Sequence, residues 1–559
     1  MKQEDISQHL QKYMKEQSFK PRGEDKLKKL YYNAKVYSID EKNSVFQAVG
    51  IEDNKICFLG SNEDSLSFDA DEKIDLQGAT VLPGFIDSHL HLLNYAFVAE
   101  SFKMFDVRSI QNVIEEGRLR VEKMKDLDQS HWLYGRGWNH QNFSDEERFL
   151  TRHDLDKIST ERPILFIRVC GHVAAVNTIA MEIVKGLPQT KDYLDQIDFE
   201  NGILTEASVK LCYNAMNTPS VEEVKKYILA VQNDYNKRGI TSIESDNFLS
   251  LPGRNRQNIV AAHRQLASEG LLTLRIREQA SFTAFEDMKV FIDEGNRTGD
   301  GDGFYTIGPI KLYQDGSLGA RTALMNEPYV NDGDNCGLMV HTKEDLQNCV
   351  DYAYDHGMQI LVHTIGDKAS DMVCDAYEEA ISKYGKKENR LAINHLQIVS
   401  PDLIERMQKN DFLAYIQPVF VASDKAMVDK LVGEERSKLS YLWKSMVDAG
   451  LTCCGGSDSP VEDFDVLSGI QLAVTRDCLG ENTEGWHPEE KLSVYEAVKL
   501  FTINNAYGAF EEKVKGSLEL GKLADMVVLG EDIFEVDPHE IYKIPIMRTI
   551  VDGKEVWKA

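Results

Sequence analysis

Two histidines stand one residue apart in VLPGFIDSHLHL, residues 81–92. Side chains alternate faces along a strand, so His89 and His91 point the same way if the apolar run leading to them is extended. Two imidazoles on one face can hold one metal ion. They can equally be ordinary polar residues at a strand end. Four more polar residues lie in or beside apolar runs: Lys311 in IKLYQDG, His363 in MQILVHTIGD, His395 in LAINHLQIV and Asp458 in LTCCGGSDSP. Burial without a partner is costly for each. Singly, a buried histidine is satisfied by a hydrogen bond and a buried lysine by a carboxylate. As a set, four imidazoles and a carboxylate are good ligands for zinc or a similar divalent ion. An ammonium cannot bind a metal. A neutral lysine amine, favoured by burial, can take up carbon dioxide. The resulting carbamate carries two oxygens that can bridge two ions.

These residues act together only if the elements that carry them bring their ends to one place. Strand candidates are residues 81–86, 239–246, 272–278, 310–316, 358–367, 391–399, 412–418 and 451–460. Helical patterns such as EDLQNCVDYAYDHG and KASDMVCDAYEEAISKYG lie between most of them. Eight strand-then-helix units predict an α/β fold, a (β/α)8 TIM-type barrel, whose active site sits at the C-terminal strand ends. The six polar residues fall on strands one, four, five, six and eight. About 140 residues separate the first two strands, far too many for one βα connection. Residues 100–235, with RPILFIRVCGH and helices of their own, are expected to form an insertion over the barrel mouth.

The two ends of the chain differ from the middle. YYNAKVYSI, SVFQAVGIED and KICFLGS are short β-type runs, and the last fifty residues show the same style. There Asp552-Gly553 forms a turn signal between two short strands. The expected organisation is a polar extension over 1–26 with one short helix, a small β-sandwich domain from 27–81 and 512–559, the barrel from 82–99 and 236–511, and the insertion over 100–235.

The bulk numbers exclude several classes. The formal net charge of -28 argues against nucleic acid and against an anionic membrane surface. No apolar run is long enough to span a bilayer, and the N-terminus lacks the apolar core of a signal peptide. The nine cysteines are scattered and odd in number, which fits reduced thiols in a cytoplasmic protein. A small-molecule substrate, with the chain as a homodimer, is the expected partner set.

The ordered set VLPGFIDSHLHL, IKLYQDGSLGARTALM, ILVHTIGD, INHLQIV and GGSDSPVE resembles the amidohydrolase superfamily. More narrowly it resembles the amidohydrolase family 3 branch that includes N-substituted formamide deformylases. WLYGRGWNH, RPILFIRVCGHVAAVN, NGILTEA, YLWKSMVDAG, KLSVYEAVKLFTINNAYGAFEE and KGSLELGKLADMVVL extend the likeness from residue 28 or so to the end. The resemblance implies a metal-dependent barrel with a flanking β-sandwich from both termini. It implies that His89, His91 and Asp458 hold a buried zinc or similar ion, that His363 and His395 hold an outer one, and that Lys311 bridges them as a carbamate. Asp458 would orient and deprotonate a metal-activated water and return the proton to the leaving amine. Trp138, Arg168, His172, Glu206 and Arg321 fall in family motifs and are candidate substrate contacts. One departure is IQPVFVASD, where relatives often carry a histidine soon after Gln-Pro and this chain has Phe420.

The implied activity is hydrolysis of a C–N amide bond in a small molecule, an N-substituted formamide or N-acyl amine. A cyclic amide is an alternative. A one-metal deaminase is another, although its usual glutamate after the strand-five histidine is missing from His363-Thr364-Ile365-Gly366-Asp367. A non-catalytic scaffold is a third, opposed by the retention of every candidate ligand.

Overall fold

A computed structural model describes residues 27–559. The expected extension over 1–26 and its helix lie outside the described residues. Among the described residues no helix is long and apolar enough to cross a membrane. No cysteine is paired, and Cys453 and Cys454 are buried in a strand.

Eight strands form one sheet in chain order: β1 Phe85–Leu90, β2 Ile240–Ser245, β3 Arg275–Ser281, β4 Tyr305–Tyr313, β5 Ile360–Thr364, β6 Ala392–His395, β7 Leu413–Ile416 and β8 Cys453–Gly455. Every adjacent pair is parallel. Buried on both faces, such strands read as nearly continuous apolar runs. Between β8 and β1 the sheet comes close to closing. The Asp458 N–H donates to the His89 carbonyl at 2.7 Å and the Ser457 N–H to the Asp87 carboxylate at 3.1 Å. Gly456 permits the approach, because a Cβ there would lie 2.8 Å from the His89 nitrogen. The result is a near-closed TIM-type barrel.

The helices between strands follow their apolar spacing. Lys343–Asp355 starts where the Thr342 hydroxyl accepts the Asp345 N–H at 3.2 Å, and it buries Leu346, Cys349, Val350 and Ala353. That i, i+3, i+4, i+7 stripe faces the core while Lys, Asp and Glu face water.

The run expected to be one strand over 81–86 is two. Thr80–Pro83 belongs to a flanking sheet and Phe85–Leu90 to the barrel. Gly84 marks the change, where a Cβ would lie 2.2 Å from the Thr241 side chain. Periodicity misses this boundary because both strands are buried on both faces.

Two smaller sheets lie outside the barrel, the first built from the N-terminal part alone and the second from both chain ends. One has four strands, ordered Lys55–Gly60, Ala48–Glu52, Lys28–Tyr32, Glu72–Asp75. The other has six, ordered Lys554–Lys558, Ile546–Val551, Met526–Leu529, Thr80–Pro83, Lys35–Tyr37, Val45–Phe46. They share an apolar cluster that includes Tyr31, Val49, Ile51, Val81, Met526 and Ile550. The Asp552-Gly553 turn has both residues at positive φ, as a tight hairpin requires.

Residues 93–231 and 248–265 form a second compact unit, so the loop after β2 belongs with the insertion. Within it a six-stranded mixed sheet includes Leu133–Trp138, Ile164–Arg168 and Val173–Val176. Each face of that sheet carries its own apolar cluster, one around Leu165 and Ile167, the other around Trp138 and Phe166.

Candidate metal centre

The barrel brings β1 and the segment after β8 side by side. His89 Nε2 lies 3.2 Å and His91 Nε2 3.1 Å from the same oxygen, Asp458 Oδ1. One donor atom from each of the three residues falls within 4.8 Å of the others. His89 is buried on β1, and His91 follows its end. Asp458 adopts φ of +58°, a left-handed conformation that costs a non-glycine residue energy and is concentrated at functional sites.

His395 and His363 continue the cluster. The His395 ring centre is 5.5 Å from that of His89 and 4.4 Å from that of His363. His395 also has a left-handed backbone, with φ of +78°. Phe420 lies parallel to the His395 ring at 6.2 Å, so the departure noted in IQPVFVASD sets an apolar wall against a donor. Lys311 is fully buried on β4, and its Nζ has no hydrogen-bond partner. Its ammonium position is 4.7 Å from the Tyr313 ring centre.

Several residues that hold the donors in place were not singled out from sequence. His89 Nδ1 meets Gln279 Oε1 at 2.6 Å, and His395 Nδ1 meets Gln417 Oε1 at 2.7 Å. His91 Nδ1 donates to the Asp246 carbonyl at 3.1 Å, and His363 Nε2 to the Gly316 carbonyl at 3.0 Å. The Tyr313 hydroxyl donates to the Asp246 carboxylate. Asp315 accepts the N–H groups of Leu324, Ile365 and Gly366, tying the loops after β4 and β5 together. Gln279 and Gln417 are polar residues near the C-terminal end of a barrel strand, as the candidate ligands are, whereas Asp246 holds His91 through its main chain.

The electrostatics follow from burial. Burial, with the neighbouring Lys311 charge, holds His89 below the usual histidine range and pushes His363 down to about 3. His395 is driven well below the usual range by burial and by His363. Burial disfavours the charged form of His91, but the carboxylates of Asp458 and Asp246 outweigh it and raise its pKa. Burial likewise opposes ionisation of Asp458, yet His89 and His91 hold its carboxyl well below the carboxylate range. Burial lowers the Lys311 pKa.

This donor set fits a divalent cation. A backbone carbonyl only accepts, so Nδ1 of His91 carries a proton, and in the neutral ring its Nε2 presents a lone pair toward Asp458. His89 is arranged alike. Three acceptors thus converge, and only a second proton on an imidazole or a cation can satisfy them.

The five candidate substrate contacts are placed less uniformly. Trp138 is fully buried, its Nε1–H donates to the Phe166 carbonyl at 3.0 Å, and its ring stacks near Phe143. Arg168 donates to Asn139 Oδ1 at 3.1 Å. His172 Nδ1 lies 3.1 Å from Glu206 Oε2, with side chains 68% and 65% exposed. All four belong to the unit containing the insertion. Arg321, in the loop after β4, pairs with Asp332 at 3.2 Å and has φ of +56°.

Known proteins resemble this chain in sequence and in fold. The chain is 31% identical over 548 residues to the protein YtcJ of Bacillus subtilis (strain 168), covering 95% of this chain and all of YtcJ. It is 24% identical over 544 residues to an N-substituted formamide deformylase of Arthrobacter pascens, covering 93% and 96%. The crystal structure of an uncharacterized metal-dependent hydrolase from Pyrococcus furiosus superimposes with a TM-score of 0.77 at 28% identity, covering 91% of this chain and all of that one. The sequence pattern described as the amidohydrolase family matches residues 72–557. With its near-closed parallel barrel and its His-His-Asp cluster, the chain belongs to the amidohydrolase family.

Proposed function

We propose that this chain is a metal-dependent hydrolase of a C–N amide bond in a small molecule, an N-substituted formamide or N-acyl amine. One observation carries the reading: the Nε2 atoms of His89 and His91 converge on the same oxygen, Asp458 Oδ1, at 3.2 and 3.1 Å. His89, His91 and Asp458 would hold one divalent ion, zinc by the chemistry of the donors. His363 and His395 would hold a second, with Lys311 as a bridging carbamate. A bound cation supplies Lewis acidity that polarises the carbonyl and acidifies a water.

The chain's own residues do the rest. The Asp458 carboxylate takes the proton of the attacking water and passes it to the departing nitrogen. Water and amide become carboxylic acid and amine, so one proton travels by way of Asp458. Phe420 gives the site an apolar side, suited to a substituent without charge. His172 and Glu206 are exposed and paired with each other, whereas the Trp138 indole is spent inside a core. The likeness to the formamide deformylase supports a linear amide over a ring.

The test is amine release by zinc-loaded protein from a panel of N-substituted formamides, N-acyl amines and cyclic amides. Release from a formamide or acyl amine, abolished by chelator, is the expected result. Turnover of cyclic amides alone would move the substrate class. No release from any member would overturn the activity.

A further inference from the structure

Strands β1, β4 to β6 and the segment after β8 carry the candidate ligands. The ends of β2, β3 and β7 carry none, yet each touches an imidazole through the nitrogen turned away from Asp458 or from its neighbour. Asp246, after β2, holds His91 by its carbonyl; Gln279, on β3, holds His89; Gln417, after β7, holds His395. The strands divide between supplying donors and aiming them.

Gln279 is the case whose chemistry is fully determined. Its Nε2 donates to the Ser88 carbonyl at 2.8 Å. A carbonyl has no proton to give, so the amide cannot be turned around. Oε1 must therefore face His89 Nδ1, which it does at 2.6 Å. An amide oxygen only accepts, so Nδ1 must carry the proton and Nε2 the lone pair. Both side chains are buried, so water cannot exchange for either bond. Gln417 differs. Its Nε2 donates to Asn394 Oδ1 at 3.0 Å, and Asn394 Nδ2 lies 3.0 Å from His395 Nε2. That three-member ring can reverse all its protons together, so it fixes no tautomer.

We propose that Gln279 is a positioning residue that locks His89 in its Nδ1–H form and so presents Nε2 to a divalent cation beside Asp458. This rests on the reading of His89 as a ligand. The tautomer itself does not, which allows the two to fail separately.

The experiment compares wild type with Gln279→Leu, which keeps the volume and removes the acceptor, and Gln279→Glu, which restores an acceptor toward His89 and, as the protonated acid, a donor toward the Ser88 carbonyl. Gln279→Met serves if the leucine variant does not fold. Two readouts are taken on the full chain. Long-range proton–nitrogen spectra of 15N-histidine protein without metal report tautomers, with His89→Asn assigning the signal. Competition with a chromogenic chelator reports zinc affinity. Wild type should show His89 protonated on Nδ1. Gln279→Leu should lose that signal and bind zinc about 10–100-fold more weakly, the usual cost of losing a partner behind a ligand. Gln279→Glu should recover both, and Gln417→Leu should leave the His89 signal in place. Retention of the Nδ1–H signal or of wild-type zinc affinity in Gln279→Leu overturns the proposal. If wild type takes up no zinc, the metal reading falls, and the tautomer spectra alone decide the role of Gln279.

Discussion

Asp458 Oδ1 lies 3.1 Å from His91 Nε2, although 367 positions of chain separate the two residues. The contact exists because the barrel nearly closes between β8 and β1. The Asp458 N–H is bonded to the His89 carbonyl and the His91 N–H to the Ser459 carbonyl, each at 2.7 Å. The main chain therefore fixes both sides of the cluster before any side chain is placed, and the left-handed backbone of Asp458 aims its carboxylate inward.

Asp458→Asn should separate folding from chemistry. The amide keeps the shape but cannot take a proton, so hydrolysis should fall by about 10²–10⁴-fold, the usual range for a general acid–base group. Circular dichroism and the unfolding temperature should stay close to wild type. Activity within a few-fold of wild type on a substrate the enzyme turns over would remove Asp458 from the proton path.

Much of this arrangement is legible in the sequence, for a physical reason. A polar residue in an apolar strand must be paid for, so Lys311, His363, His395 and Asp458 stand out against their runs. The eight strands are visible because buried parallel strands are apolar throughout. The same property hides their limits, and the division of residues 81–86 at Gly84 depends on a contact with Thr241 that lies far along the chain. The holders are harder to see. Gln279 sits beside Glu278 and Arg277 in a strand with several polar residues, and nothing local says which of them faces His89. Backbone carbonyls such as those of Asp246 and Gly316 leave no sequence signal at all.

Trp138 is a motif residue whose surroundings point to packing. Its ring lies in an apolar cluster and its indole N–H is satisfied by Phe166. Trp138→Phe should cost about 1–3 kcal/mol of stability, from lost packing and an unpaired carbonyl. The unfolding temperature should drop, while KM stays within about two-fold of wild type, the scatter expected where no contact with substrate is lost. A large rise in KM at unchanged stability would return Trp138 to the substrate pocket.

Glu278 makes a pH prediction with a definite sign. It is buried, it accepts from the Asn247 backbone and side chain at 3.1 and 3.0 Å, and burial raises its pKa from 4.5 to about 8. The folded carboxyl therefore holds its proton through a range where the unfolded one has lost it. Stability contributed by this group falls as pH rises from the unfolded value toward the folded one. Asp87 and Asp315, each pushed up to about 7, act in the same direction. Below about pH 6.5 the lowered histidines act in the opposite direction, so unfolding temperatures of metal-free protein should decline between about pH 6.5 and pH 8, and Glu278→Gln should flatten part of that decline. An unchanged slope in the variant would mean that Glu278 titrates normally.

Lys311 offers the sharpest division between one ion and two. Its Nζ is buried without a partner, and burial lowers its pKa, so the neutral amine is accessible to carbon dioxide. A carbamate would put an anion where the buried amine now stands, beside the imidazoles. Uptake of a second zinc should then rise with added bicarbonate, and native mass spectra should show one carbon dioxide on the chain. Lys311→Met should abolish both effects while keeping the first zinc, because His89, His91 and Asp458 do not depend on it. The variant should also unfold no earlier than wild type when metal is removed, since it replaces an unpaired buried amine with an apolar side chain of similar length. Two zinc ions bound without bicarbonate dependence, and equally in Lys311→Met, would mean that another group bridges them. A single zinc under every condition would leave Lys311 as an amine, with His363 and His395 free to orient substrate instead.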